Sequence, residues 1–194
     1  SADSESDRGQ LVDLRNAIVW LPESASLAER KAAEMLGSEI KRRNRIFLPT
    51  STRLLGSRPH IIVCSFDKLP PLDTHPKRRW EVVENPEGFA IEVNDTQGER
   101  PLIFAAGERR GRLFAVGKLL RTLKMDEIFL AVEKGLSIVT EPRYPLRGHQ
   151  LGYRPKTNSC DGWDLDIWEH YIRDLVAYGC NAVELISASF WRCP

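Results

Sequence analysis

The chain lacks the residue patterns that announce metal, nucleotide or membrane chemistry. Its four cysteines, Cys64, Cys160, Cys180 and Cys193, include no CxxC pair and have no histidine at ligand spacing, which excludes the common zinc sites. Asp161, Asp164 and Asp166 fall short of a calcium loop because the turn glycine and the terminal glutamate are absent. Gly111 to Lys118 imitates a phosphate loop, but the spacing is one residue too long and Leu119 stands where a magnesium-holding hydroxyl is required. No metal and no cofactor are therefore expected. Neither sign of charge dominates: 28 basic and 27 acidic residues leave +1, so no field draws the chain to nucleic acid or an anionic membrane. No apolar run approaches the roughly 18 residues of a membrane span. His149 and His170 belong to no catalytic motif, and a structural role is expected for each. The start, Ser1 to Asp7, is acidic, polar and without Met, as in a processed export product or a piece cut from a longer chain. A secreted or periplasmic location is expected, with the cytoplasm as the alternative.

What is there is ordinary globular protein. With 194 residues and 42% hydrophobic content, the chain can bury one core and the start of a second. Residues 1–12 have the composition of a disordered leader. Asn16 to Trp20 reads as a strand, and Ser26-Leu27-Ala28-Glu29 matches a capping box that opens a helix to about Arg43. The inward face of that helix is expected to hold Leu27, Ala32, Met35, Leu36 and Ile40. Ile46 to Leu48 and His60 to Cys64 read as strands, and the proline-rich stretch Leu69 to Pro76 as a loop. Gly88 to Val93 and Pro101 to Ala106 flank a turn and predict a β-hairpin. From Glu108 to Leu123 the apolar residues fall on one helical face, with Arg109, Arg110, Arg112 and Arg121 elsewhere. Cys64 should be a small buried hydrophobe, while a disulfide among the other three cysteines stays open.

After the proline-punctuated Thr140 to Pro145 the grammar changes to one βαβ unit. It comprises a strand from Arg147 to Tyr153, a helix from Asp164 to Tyr178 and a strand from Ala182 to Ile186. Two parallel strands with one helix leave both edges uncovered, which predicts a piece of a larger sheet or self-association through residues 147–194. Asp164 and Asp166 open the helix, where capping accounts for them. The expected architecture is α/β: a domain over 13–141 with two helices on a mixed sheet, then 142–194 as the truncated start of a TIM (β/α)₈ barrel.

Three stretches carry a family resemblance. They are Glu87-Gly88-Phe89-Ala90-Ile91-Glu92-Val93; Ala105-Ala106-Gly107 with Arg110-Gly111 through Leu120; and Pro142-Arg143-Tyr144-Pro145-Leu146-Arg147-Gly148. In order and content they resemble the N-terminal domain and first barrel strand of family-20 glycoside hydrolases, the β-N-acetylhexosaminidase group, a domain shared with α-glucuronidases. The resemblance implies the N-terminal portion of an enzyme acting on a hexosamine- or uronic-acid-containing glycan. It implies Arg147 as a substrate contact and places the catalytic carboxylates after a later strand, so no catalytic residue is assigned here. Tyr153 and Trp163 flank the loop at the C-terminal end of the first barrel strand, where barrel sites gather, and are the aromatic candidates for stacking on a sugar. The alternative is a free-standing, non-catalytic carbohydrate-binding or protein-interaction module.

Overall fold

The computed structural model describes residues 10–72, 80, 83–95, 100–151 and 163–185. It divides into two compact units, Ser1–Pro142 and Arg143–Pro194. The first unit runs β1 (Leu11–Asp13), β2 (Ile18–Trp20), α1 (Leu27–Asn44), β3 (Thr50–Ser51), β4 (His60–Cys64), β5 (Phe89–Asn94), β6 (Leu102–Gly107), α2 (Gly111–Thr122), β7 (Lys124–Met125), β8 (Leu130–Glu133) and β9 (Ser137–Thr140).

A six-stranded mixed sheet in the order β3-β2-β4-β6-β5-β9 forms its centre. β3, β2, β4 and β6 are parallel, and β5 pairs antiparallel with both β6 and β9. Every residue of β4 and β6 is buried, as expected of strands covered on both faces. The helices α1 and α2 pack on each other and on the sheet. Over Trp20, Ile62, Cys64 and Phe104 the sheet is covered by irregular chain: Leu54, Phe66, Leu69, Leu72 and Trp80. Trp80 is fixed there by its indole N–H, which donates to Glu92 at 3.1 Å, and by its ring, 5.4 Å from that of Phe104.

The capping box forms as its residues predict: the Glu29 N–H donates to Ser26 Oγ, and the Ser26 N–H donates to the Glu29 carboxylate. Because Glu29 points inward, Leu27, two residues or about 200° away on the helix, points outward and is 66% exposed, correcting its expected core position. Ile46 to Leu48 is not a strand. The helix ends on Arg45 in the left-handed conformation, Asn44 Oδ1 then accepts from the Ile46 N–H, and Phe47 turns to solvent. Pairing begins only at Thr50, after Pro49, which has no N–H to give to a ladder. Leu11 and Val12, assigned to the leader, belong with Asp13 to a strand: β1 joins β8 and β7 in a small antiparallel sheet. Between β5 and α2 the backbones nearly touch. A Cβ on Gly111 would stand 2.1 Å from the Gly88 carbonyl oxygen, and one on Gly107 would stand 2.6 Å from the Gly111 carbonyl carbon.

The second unit holds β10 (Gly148–Leu151), α3 (Leu165–Ala177) and β11 (Ala182–Leu185), with the strands parallel and Gly148 opposite Ala182. The Asp164 carboxylate caps α3 by accepting from the Ile167 N–H at 2.9 Å.

Candidate functional site

The second unit carries the residues singled out from sequence. Arg147, just before β10, is held by backbone. Its Nε donates to the Gly179 carbonyl at 2.8 Å and its Nη1 to the Tyr144 carbonyl at 2.7 Å. Asn181 completes a reciprocal latch: its Oδ1 accepts the Arg147 N–H at 2.9 Å and its Nδ2 donates to the Pro145 carbonyl at 2.8 Å. All of these groups lie at the N-terminal ends of the parallel strands. Sequence offered no signal for Asn181, because its partners are 34 and 36 residues away.

His149 Nδ1 meets the Tyr171 hydroxyl on α3. The side chain of His149 therefore lies on the helix side of the strand. By alternation, Gly148 and Gln150 point to the opposite face, and the register sets Gln150 beside Glu184 there. Trp163 directly precedes the cap of α3, at the C-terminal end of β10. Its ring packs 5.1 Å from both Trp168 and Tyr171, leaving it half-buried. Trp168 and Tyr171 pack edge to face, as their helical spacing predicts. Tyr153 lies outside the described residues.

The first unit has a polar centre of its own, at the C-terminal ends of β2 and β4. Glu29 is fully buried and accepts from the Ser26 N–H at 2.6 Å, the Ser65 N–H at 3.1 Å and the Ser65 hydroxyl at 3.2 Å. Arg112 reaches it at 3.4 Å and also donates to Ser26 Oγ and the Gly107 carbonyl. Burial alone would raise the Glu29 pKa, but the hydrogen bonds from Ser26 and Ser65 and the charge of Arg112 outweigh it and hold the carboxyl below its ordinary value. Every partner is intramolecular and joins α1, β4 and α2, so this cluster binds elements together. Gly111 to Lys118 lies inside α2, within the helix expected over Glu108 to Leu123. Among the described residues, no group of three or more His, Cys, Asp or Glu is placed to hold a metal ion, and no helix is long and apolar enough to cross a membrane.

This pairing of a mixed α/β unit with a parallel βαβ unit is a fold found in glycoside hydrolases. The chain is similar to the GH20 exo-β-N-acetylglucosaminidase of Vibrio harveyi, solved with N-acetylglucosamine. The identity is 20% and the TM-score 0.58, over 91% of this chain and 22% of that one. It is similar to a family GH115 4-O-methyl-α-glucuronidase with specificity for decorated arabinogalactans, at 12% identity and TM-score 0.60, over 91% and 26%. It is also similar to the Streptomyces plicatus β-hexosaminidase solved with GlcNAc, at 17% identity and TM-score 0.58, over 91% and 31%. No protein-family model matches the chain, and no curated protein matches it. The chain thus spans between about a fifth and a third of the solved chains it resembles. Residues 1–142 alone could not supply a coverage of 91%, so the likeness extends into the βαβ unit.

Proposed function

We propose that this chain is the N-terminal portion of a glycoside hydrolase acting on a hexosamine- or uronic-acid-containing glycan, in which residues 142–194 begin a (β/α)₈ barrel. The observation that carries this reading is the fold likeness that continues past Pro142 into the parallel βαβ unit. The arrangement of β10, α3 and β11 supports it, because a parallel pair gains stability only within a larger, covered sheet. The catalytic carboxylates belong to later strands of that barrel. Tyr153 and Trp163, flanking the loop that follows β10, are the proposed aromatic contacts to the sugar. Arg147, which the resemblance implies as a substrate contact, is proposed instead as a positioning residue: its guanidinium holds the Tyr144 and Gly179 carbonyls and so fixes the start of the first strand. A secreted or periplasmic location accompanies this function.

The test is turnover of chromogenic N-acetylhexosaminides and glucuronides by the protein in its natural length and by the 194-residue chain. Activity in the former and none in the latter above a heat-killed control is expected. Activity in the 194-residue chain, or in neither, overturns the proposal.

A further inference from the structure

The segment Thr52–Arg58, between β3 and β4, is tied to the sheet by side chains. The Trp20 indole N–H donates to the Thr52 carbonyl at 2.9 Å, Arg100 Nε to the Gly56 carbonyl at 2.6 Å and Arg58 Nε to the Asn16 carbonyl at 2.8 Å. Leu54 packs on the cluster of Trp20, Ile62 and Phe104, whereas Leu55 beside it is 47% exposed. A further tie is His60, the fully buried first residue of β4. Its Nε2 accepts the Leu55 N–H at 3.1 Å, and its Nδ1 lies 2.8 Å from the Arg58 carbonyl. A carbonyl only accepts and an amide N–H only donates, so the two bonds together require the neutral imidazole with its proton on Nδ1. In register His60 stands between Ile18 of β2 and Leu102 of β6. The charges that act on it are Arg100 and Arg58, both positive; Arg53, the other charge of the segment, is exposed. Among the described residues no carboxylate acts on it.

We infer that His60 is an acid-released latch: on protonation it lets go of the Leu55 N–H, and the strap Thr52–Arg58 lifts from the sheet while the rest of the first unit stays folded. An imidazolium carries N–H groups at both nitrogens, so Nε2 turns from acceptor to donor and meets the Leu55 N–H head on. The new charge also lies beside Arg58 and Arg100, with no acidic group to offset it. Lifting the strap relieves both conflicts by giving the imidazolium to water. Leu54 then leaves the apolar cluster and the Trp20 indole loses the Thr52 carbonyl. The sheet does not need the strap, because β4 remains paired with β6 over five residues, His60↔Leu102 to Cys64↔Ala106. Burial, aided by the two arginines, keeps the closed form from taking up a proton until well into the acid range, whereas the open form titrates near the ordinary histidine value. Opening is therefore flat above about pH 6.5 and grows about ten-fold per pH unit below it, until the closed form itself is protonated.

The experiment is hydrogen-exchange mass spectrometry of the protein in its natural length across mildly acidic pH, each rate corrected for the intrinsic pH dependence of amide exchange. Peptides covering 52–58 should lose protection about ten-fold as the pH falls from about 6.5 to about 5.5, while those covering 61–64 and 102–106 keep theirs. In His60→Gln, whose amide oxygen can accept the Leu55 N–H but takes up no proton, the acid-dependent loss should disappear. If that variant does not fold, NMR of selectively labelled histidine in the wild type decides. His60 should stay neutral with its proton on Nδ1 while the strap is closed, and protonate only as the strap amides open. A strap whose protection is insensitive to pH, or which still opens with acid in His60→Gln, overturns the inference. So does protection lost equally over 52–58, 61–64 and 102–106, which marks unfolding of the whole unit, and so does a His60 that protonates with the strap closed.

Discussion

Replacing Glu29 by alanine should be the most damaging conservative-sized truncation in the first unit that leaves the apolar core intact. The carboxylate is 0% exposed and its removal orphans several groups at once. The Ser65 N–H loses its acceptor, the Arg112 guanidinium keeps Ser26 Oγ and the Gly107 carbonyl but loses its buried counter-charge, and the capping box of α1 loses the half that satisfied the Ser26 N–H. Breaking a buried ion pair by removing one partner costs about 3–5 kcal/mol, and a lost cap costs about 1 kcal/mol by itself. Because the contributions share groups and do not add, the expected loss is about 3–5 kcal/mol. With a urea dependence of about 2 kcal/mol per molar, the midpoint should fall by about 1.5–2.5 M. Equilibrium urea unfolding followed by far-UV circular dichroism measures this. The double variant Glu29→Ala/Arg112→Met should recover part of the loss, since no buried charge is then left unpaired. A Glu29→Ala cost below about 1 kcal/mol, or a double variant less stable than the single one, would refute the account. The same carboxylate sets an acid limit. Its folded-state pKa is depressed, so its stabilisation is complete above the ordinary glutamate range and is lost as pH falls through the lower folded value; Glu39, held down by Arg42 and Arg43 against its own burial, acts in the same direction.

Gly111→Ala should destabilise the first unit by about 3 kcal/mol or more, because the added carbon meets the Gly88 backbone. Gly37→Ala, with nothing within 4 Å and in a helix interior, should stabilise it by about 0.5–1 kcal/mol; calorimetry of the pair checks both. His60 is buried and neutral, its Nε2 accepting the Leu55 N–H and its Nδ1 donating to the Arg58 carbonyl. Burial lowers its pKa, and Arg100 and Arg58 add to this. Its linkage therefore takes stability away as pH drops below about 6.5, where the unfolded chain begins to take up the proton, and His60→Gln should flatten that part of the stability profile. Arg147→Ala and Asn181→Ala should each speed amide exchange in β10 and β11 and leave the first unit unchanged, as hydrogen-exchange mass spectrometry would show. Leu165, Ile172 and Tyr178 are exposed on or beside α3, so the 194-residue chain should self-associate. A monomeric sedimentation profile at high concentration would contradict that.

The elements that sequence foretold are those whose signal is local. The Ser26–Glu29 box, the hairpin of β5 and β6, the apolar face of α2 and the Asp164 cap each depend on residues a few positions apart. What sequence left hidden depends on distant partners. Arg112 reads as a wet-face arginine until α1 brings Glu29 beside it, and Asn181 carries no signal until Arg147 is placed against it. The strand placed at Ile46 to Leu48 failed because three apolar residues follow a helix end whose αL cap and Asn44 turn settle the backbone first. At the candidate site, period-two alternation was legible but its phase was not. Only the contact of His149 with Tyr171 decides which of two alternating sets faces the helix.

The irregular cover over the sheet makes Cys64 a built-in clock for one part of the molecule. Its thiol is fully buried beneath Leu54, Phe66, Leu69, Leu72 and Trp80, and burial, reinforced by the charge of Glu29, pushes its pKa up to about 12. Attack on a disulfide reagent requires a thiolate, so Cys64 is silent while covered. The half-buried Cys180 thiol lies in the other unit and has its own rate. The slow labelling phase of Cys64 thus times the lifting of the cover. Its dependence on urea separates a local excursion, shallow in denaturant, from loss of the whole unit, which is steep.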